Sequence, residues 1–177
     1  AGILVLFLIY PRCESNVKNV SKNIENMSTG DKSTLKLITD KASIAITTPL
    51  IESIVTPCML ADNLKTKIDK INCIATYKHY YDQILKYPLA DIFYYLGMLG
   101  DDPFEKDDKT KRFNQQYRAA RKIADVFANV LSKQLYKLYE IYDNDGYNAD
   151  KFSKNMNDDL SNELNKIINK IIENPNQ

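Results

Sequence analysis

The sequence has no tryptophan, one histidine and three cysteines, and only 5 glycines and 6 prolines among its 177 residues. So little glycine and proline excludes a turn-rich β protein and a low-complexity disordered chain. Three cysteines cannot supply the disulfide framework of a small secreted scaffold. One histidine leaves almost nothing for His-rich metal chemistry. An excess of one charge is missing as well. Lys+Arg number 24 and Asp+Glu 23, a net charge of +1, without the basic surplus of a dedicated nucleic-acid binder. There is no Gly-rich phosphate loop, nucleophile elbow or HExxH pattern. No acid, base and nucleophile set can be named, so the chain reads as non-enzymatic, with no cofactor and no metal.

What is present suffices for one domain with a real core: hydrophobic residues make up 44% of the chain. Lys, Ile and Asn number 20, 19 and 17, a composition matching AT-rich codons. The chain opens on an apolar run, Ala1 to Tyr10, followed by Pro11-Arg12-Cys13-Glu14-Ser15. This pattern matches the apolar and cleavage regions of a secretory signal peptide over residues 1–15, with Cys13 and Ser15 at the small-residue positions before Asn16. The run is shorter than the roughly 20 apolar residues of a membrane span. Removing it takes away one base, Arg12, and one acid, Glu14, so the charge balance is unchanged. It leaves Cys58 and Cys73, which an oxidising compartment would tend to pair. Two sequons, at Asn19 and Asn26, lie just beyond and are possible glycosylation sites.

Residues 16–172 read as a single helical domain, and 173–177 as the start of a polar tail. Val17, Val20, Ile24 and Met27 predict a short amphipathic helix. A second is expected from Ser33 to Thr47, ended by Thr48-Pro49, with Leu50 to Val55 a short apolar turn or linker. A long helix is expected from Met59 to Lys86, buried along Leu60, Leu64, Ile68, Ile71 and Ala75 and stopped at Tyr87-Pro88. A short apolar helix, Leu89 to Leu99, follows. Asp101-Asp102-Pro103 has the form of a helix start. The clearest periodicity runs from Thr110 to Tyr142, through Phe113, Tyr117, Ala120, Ala124, Phe127, Leu131, Leu135 and Leu138. A final helix, Asn148 to Ile172, follows the turn Asp143-Asn144-Asp145-Gly146. The fold class is therefore all-α: an antiparallel helical bundle of three long and several short helices.

Within one straight helix, Cys58 and Cys73 would lie about 22 Å apart, and a disulfide needs less than about 7 Å. Either the helix starts late, near Asp62, and Cys58 folds back, or the cysteines pair with another chain, or both are free. The turn at Asp143–Gly146 fails as a calcium loop, because Ile141 and Phe152 would occupy its first and last liganding positions. His79 sits on a polar face beside Asp82, with no nucleophile held against it. Twelve tyrosines are the oddest feature. Tyr77, Tyr80, Tyr81, Tyr94 and Tyr95 form a possible binding surface, since tyrosine supplies amphipathic contact area at low entropic cost. They could equally rim a core.

The stretch Tyr80-Tyr81-Asp82-Gln83-Ile84-Leu85-Lys86-Tyr87-Pro88, with Ile92-Phe93-Tyr94-Tyr95-Leu96-Gly97 and Gly100-Asp101-Asp102-Pro103-Phe104 after it, resembles the merozoite surface antigens of Babesia-type parasites. The resemblance spans residues 50 to 170. It implies a secreted or cell-surface protein on the outer face of the plasma membrane, held by a C-terminal glycolipid (GPI) anchor and acting in host-cell attachment. Its partners would be a host-cell surface protein or glycan, and antibody. It would meet a membrane only through that lipid anchor, whose hydrophobic signal is not in these residues. Two other readings remain: a secreted carrier of a small hydrophobic ligand, and a secreted effector that binds a host protein.

Overall fold

The computed structural model describes residues 32–98 and 102–176. The signal-peptide reading of residues 1–15, the helix expected at Val17–Met27, and the sequons at Asn19 and Asn26 lie outside these residues.

Helix α1 spans Lys32–Leu50 and passes through a π-helical turn, Ile51–Val55, into the short α2, Thr56–Met59. Pro49 does not end it. The chain stays helical through it and into a π-turn, where the Thr56 amide reaches back to the Ile51 carbonyl. The stripe Leu35, Ile38, Ala42, Ile46, Leu50 therefore continues into Ile54, Val55, Cys58 and Met59, all buried. Thr34–Met59 is long and apolar enough to cross a membrane by length and composition alone, and is mostly buried within the fold.

The helix expected over Met59–Lys86 is two helices, α3 at Lys67–Thr76 and α4 at Lys78–Met98, after a break at residues 60–66. The buried stripe is displaced accordingly. Leu60 (65% exposed), Ile68 and Ala75 face solvent, and Ile74 is the residue of α3 that enters the core. Nor does Pro88 stop a helix. It lies inside α4, which carries Ile84, Leu85, Ile92, Tyr95 and Leu96 into the core. The Asp102-Pro103 segment is not a helix start either. Asp102 accepts from the Phe104 amide at 3.0 Å and from the Arg112 guanidinium at 2.8 Å. Phe104 is buried edge-on against Phe93. The true cap of the next helix is Asp108, whose carboxylate accepts from the Lys111 amide at 3.1 Å.

Helix α5 spans Lys109–Asp145 and α6 spans Ala149–Glu173. Gly146, at φ +69°, makes the turn between them in a conformation that other residues adopt at a cost. Asn148 caps α6 by accepting from the Lys151 amide at 3.0 Å. The α6 stripe Phe152, Met156, Leu160, Leu164, Ile168 and Ile171 is buried as its spacing predicts. Ser161 on α6 bonds Asp40 on α1, and Tyr147 bonds Thr56 at 2.7 Å, so α6 runs antiparallel to α1. Gln134 on α5 bonds Asp159 on α6. The result is a helical bundle around one core shared by all these helices, with no strand among the described residues.

Candidate functional site: the disulfide-closed tip

Cys58, at the end of α2, and Cys73, on α3, form a disulfide with Cα atoms 5.7 Å apart. The late-start arrangement is thus the one adopted, with α3 beginning at Lys67 rather than near Asp62. Thr66 caps α3, its hydroxyl accepting from the Asp69 amide at 3.2 Å. Behind the break lies Lys70, only 8% exposed, which donates to the Met59 carbonyl at 2.9 Å and the Ala61 carbonyl at 3.3 Å. A helix ending at Met59 leaves its last carbonyls without backbone partners. The Lys70 ammonium supplies donors to two acceptors at that end, which is why a cation is tolerated inside.

Further contacts fix the tip to the bundle. The Tyr81 hydroxyl donates to the Ile74 carbonyl at 2.7 Å, across the junction of α3 and α4, and its ring meets Phe127 edge-on at 5.6 Å. Burial pushes the Tyr81 phenol up to about 12. The Lys67 ammonium lies 4.3 Å from the centre of the Tyr139 ring on α5. Leu60, Ile68 and Tyr77 are exposed on this braced segment, and the His79 and Tyr80 rings are 4.0 Å apart beside Tyr77. Among the described residues, no group of His, Cys, Asp and Glu is disposed to hold a metal ion.

The five tyrosines do not share one face. Tyr77 and Tyr80 belong to the tip, and Tyr81 turns inward with its hydroxyl occupied. Tyr94 is exposed about four turns further along α4. Tyr95, 3% exposed, is a core residue, because the continuation of α4 through Pro88 brings it onto the buried stripe. Leu60 and Ile68, expected along a buried stripe, are instead exposed at the tip. The signal for them was present in the cysteine spacing: if Cys58 and Cys73 pair, the intervening segment cannot remain in helical phase. Lys70 carried no such signal.

A second concave feature lies between α4 and α5, a cleft of about 620 Å³ bordered by Leu85, Leu89, Tyr117, Ala120 and Ala124. Phe113 and Tyr117, expected in the core, are instead 66% and 56% exposed and stack on each other at the start of α5. That half of α5 turns Gln115, Ala119 and Ile123 inward in their place.

Comparison with protein-family models, curated proteins and solved structures finds no match for this chain.

Proposed function

We propose that the chain is a non-enzymatic surface antigen and adhesin, secreted or anchored on the cell surface, whose tip contacts a host-cell surface protein or glycan during parasite attachment. The supporting observation is the exposure of Leu60, Ile68 and Tyr77 on a segment held by a disulfide, a buried lysine clamp and a capped helix. Apolar and aromatic groups on a pre-ordered segment bind without the entropic cost of ordering a loop. A disulfide suits an oxidising, extracellular setting.

The layout favours the same reading. Asn176 bonds Gln115 near the start of α5, whereas the tip meets α5 at Tyr139. Those positions are about 36 Å apart along the helix. A glycolipid attached beyond residue 177 would therefore leave the tip remote from the membrane, where a host surface and antibody could reach it.

Purified chain is expected to bind erythrocytes saturably in flow cytometry. The triple variant Leu60→Ser/Ile68→Ser/Tyr77→Ser should lose about tenfold or more in affinity, as loss of central apolar contacts does, with an unchanged circular dichroism spectrum. Absence of saturable binding would reject the adhesin reading. Undiminished binding by the triple variant would remove the tip from it.

A further inference from the structure

The first half of α5 carries core-like spacing on a face that the described residues leave open. Phe113 and Tyr117 stack with ring centres 6.5 Å apart, and Ala120, Ala124 and Ala128 continue the row at helical spacing. The row spans about 22 Å of helix. From Tyr117 to Ala128 it forms one wall of the α4–α5 cleft, with Leu85 and Leu89 on the other. The rims carry both signs of charge: Lys78, Asp82 and Lys86 on α4, Arg121 and Asp125 on α5.

We propose that two copies of the chain associate through this face, α5 of each lying antiparallel in the α4–α5 cleft of the other. Two features select a second copy as the occupant. The first is charge. With a two-fold axis beside residues 122 and 123, Arg121 of one copy meets Asp125 of the other, and symmetry makes the same contact twice. The α4 rim of each cleft carries two bases and an acid, Lys78, Lys86 and Asp82. A face of single sign would repel itself, and this one carries both signs. The second is size. The same register places Tyr117 opposite Ala128 of the second copy, large against small, while Ala120 and Ala124 lie at the axis. Their small side chains let the two helices approach closely, as ridge-into-groove packing requires. An unrelated helix would have to match the same order of charge and bulk, which the chain already matches with itself. The residues tested below lie on α5 and apart from Leu60, Ile68 and Tyr77, so the two proposals can fail separately.

Sedimentation equilibrium of the full chain tests it. The wild-type chain is expected to be a dimer. Arg121→Asp makes the α5 rim all acidic and Asp125→Arg makes it all basic, so each variant alone should dissociate about tenfold or more readily. Mixing the two restores both opposite-sign contacts and should yield a one-to-one heterodimer. The double variant Arg121→Asp/Asp125→Arg should again form a homodimer. Both positions are exposed, and circular dichroism would verify that each variant is folded. A wild-type chain that stays monomeric at all concentrations overturns the proposal. So does a dimer indifferent to both single reversals, or single variants that remain apart when mixed.

Discussion

At Tyr81 a single phenol couples burial to pH. Its ordinary value is near 10, and desolvation raises it to about 12 in the folded protein. A group raised on folding contributes stability in full below its unfolded value and loses it as pH climbs through the folded one. The Tyr81 contribution is therefore complete below about pH 10 and disappears toward pH 12. Alkaline titration of phenolate absorbance should reveal a late component near 12, absent from Tyr81→Phe; a wild-type titration without that component would contradict the buried placement. Asp40 shows the opposite balance. Burial pushes its carboxyl up, but the Ser161 hydrogen bond and the bonded Lys36 ammonium together hold it below the usual carboxylate value.

Among the elements, α6 depends most visibly on its cap. Asn148 satisfies an amide in the first turn that otherwise has no backbone partner. Asn148→Ala is expected to cost about 1 kcal/mol in urea unfolding. No change would mean that solvent serves the amide equally well. This helix was also the most legible in the sequence, because its every buried residue falls on one uninterrupted stripe. Helices α1 and α4 were legible in kind but not in extent. Pro49 and Pro88 each read as a stop, yet both lie inside helices whose flanking residues are packed in the core. The break at 60–66 was hidden for the converse reason. Leu60, Leu64 and Ile68 keep helical spacing across a segment that the disulfide and the Lys70 clamp fold back. Along α5, periodicity identified the helix while misassigning Phe113 and Tyr117. A stripe specifies a surface that tends to be covered, without specifying what covers it. The tip was only partly visible, because its components come from a covalent bond and a buried cation that no pattern of apolar residues encodes.

For the molecule as a whole, burial is uneven. Ile46 and Leu50 on α1, Val55 in the π-turn, and Met156, Leu160, Leu164 and Ile168 on α6 are wholly enclosed, whereas the first turns of α5 leave Phe113 and Tyr117 exposed. Amide hydrogen exchange should accordingly be slowest along α1 and α6 and appreciably faster over residues 109–117. The reverse order would place the stable centre of the fold elsewhere.

The antiparallel pairing of α1 with α6 has a mechanical consequence. Tension applied between the tip and the Asn176 end would run along these helices and load their contact in shear, so that many side chains must give way together instead of peeling apart in turn. The cross-link between Cys58 and Cys73, 15 positions apart in the chain, would also withhold the enclosed segment from any extension. Load applied in this way would be held by the seam between the two helices, with the enclosed segment unable to unravel.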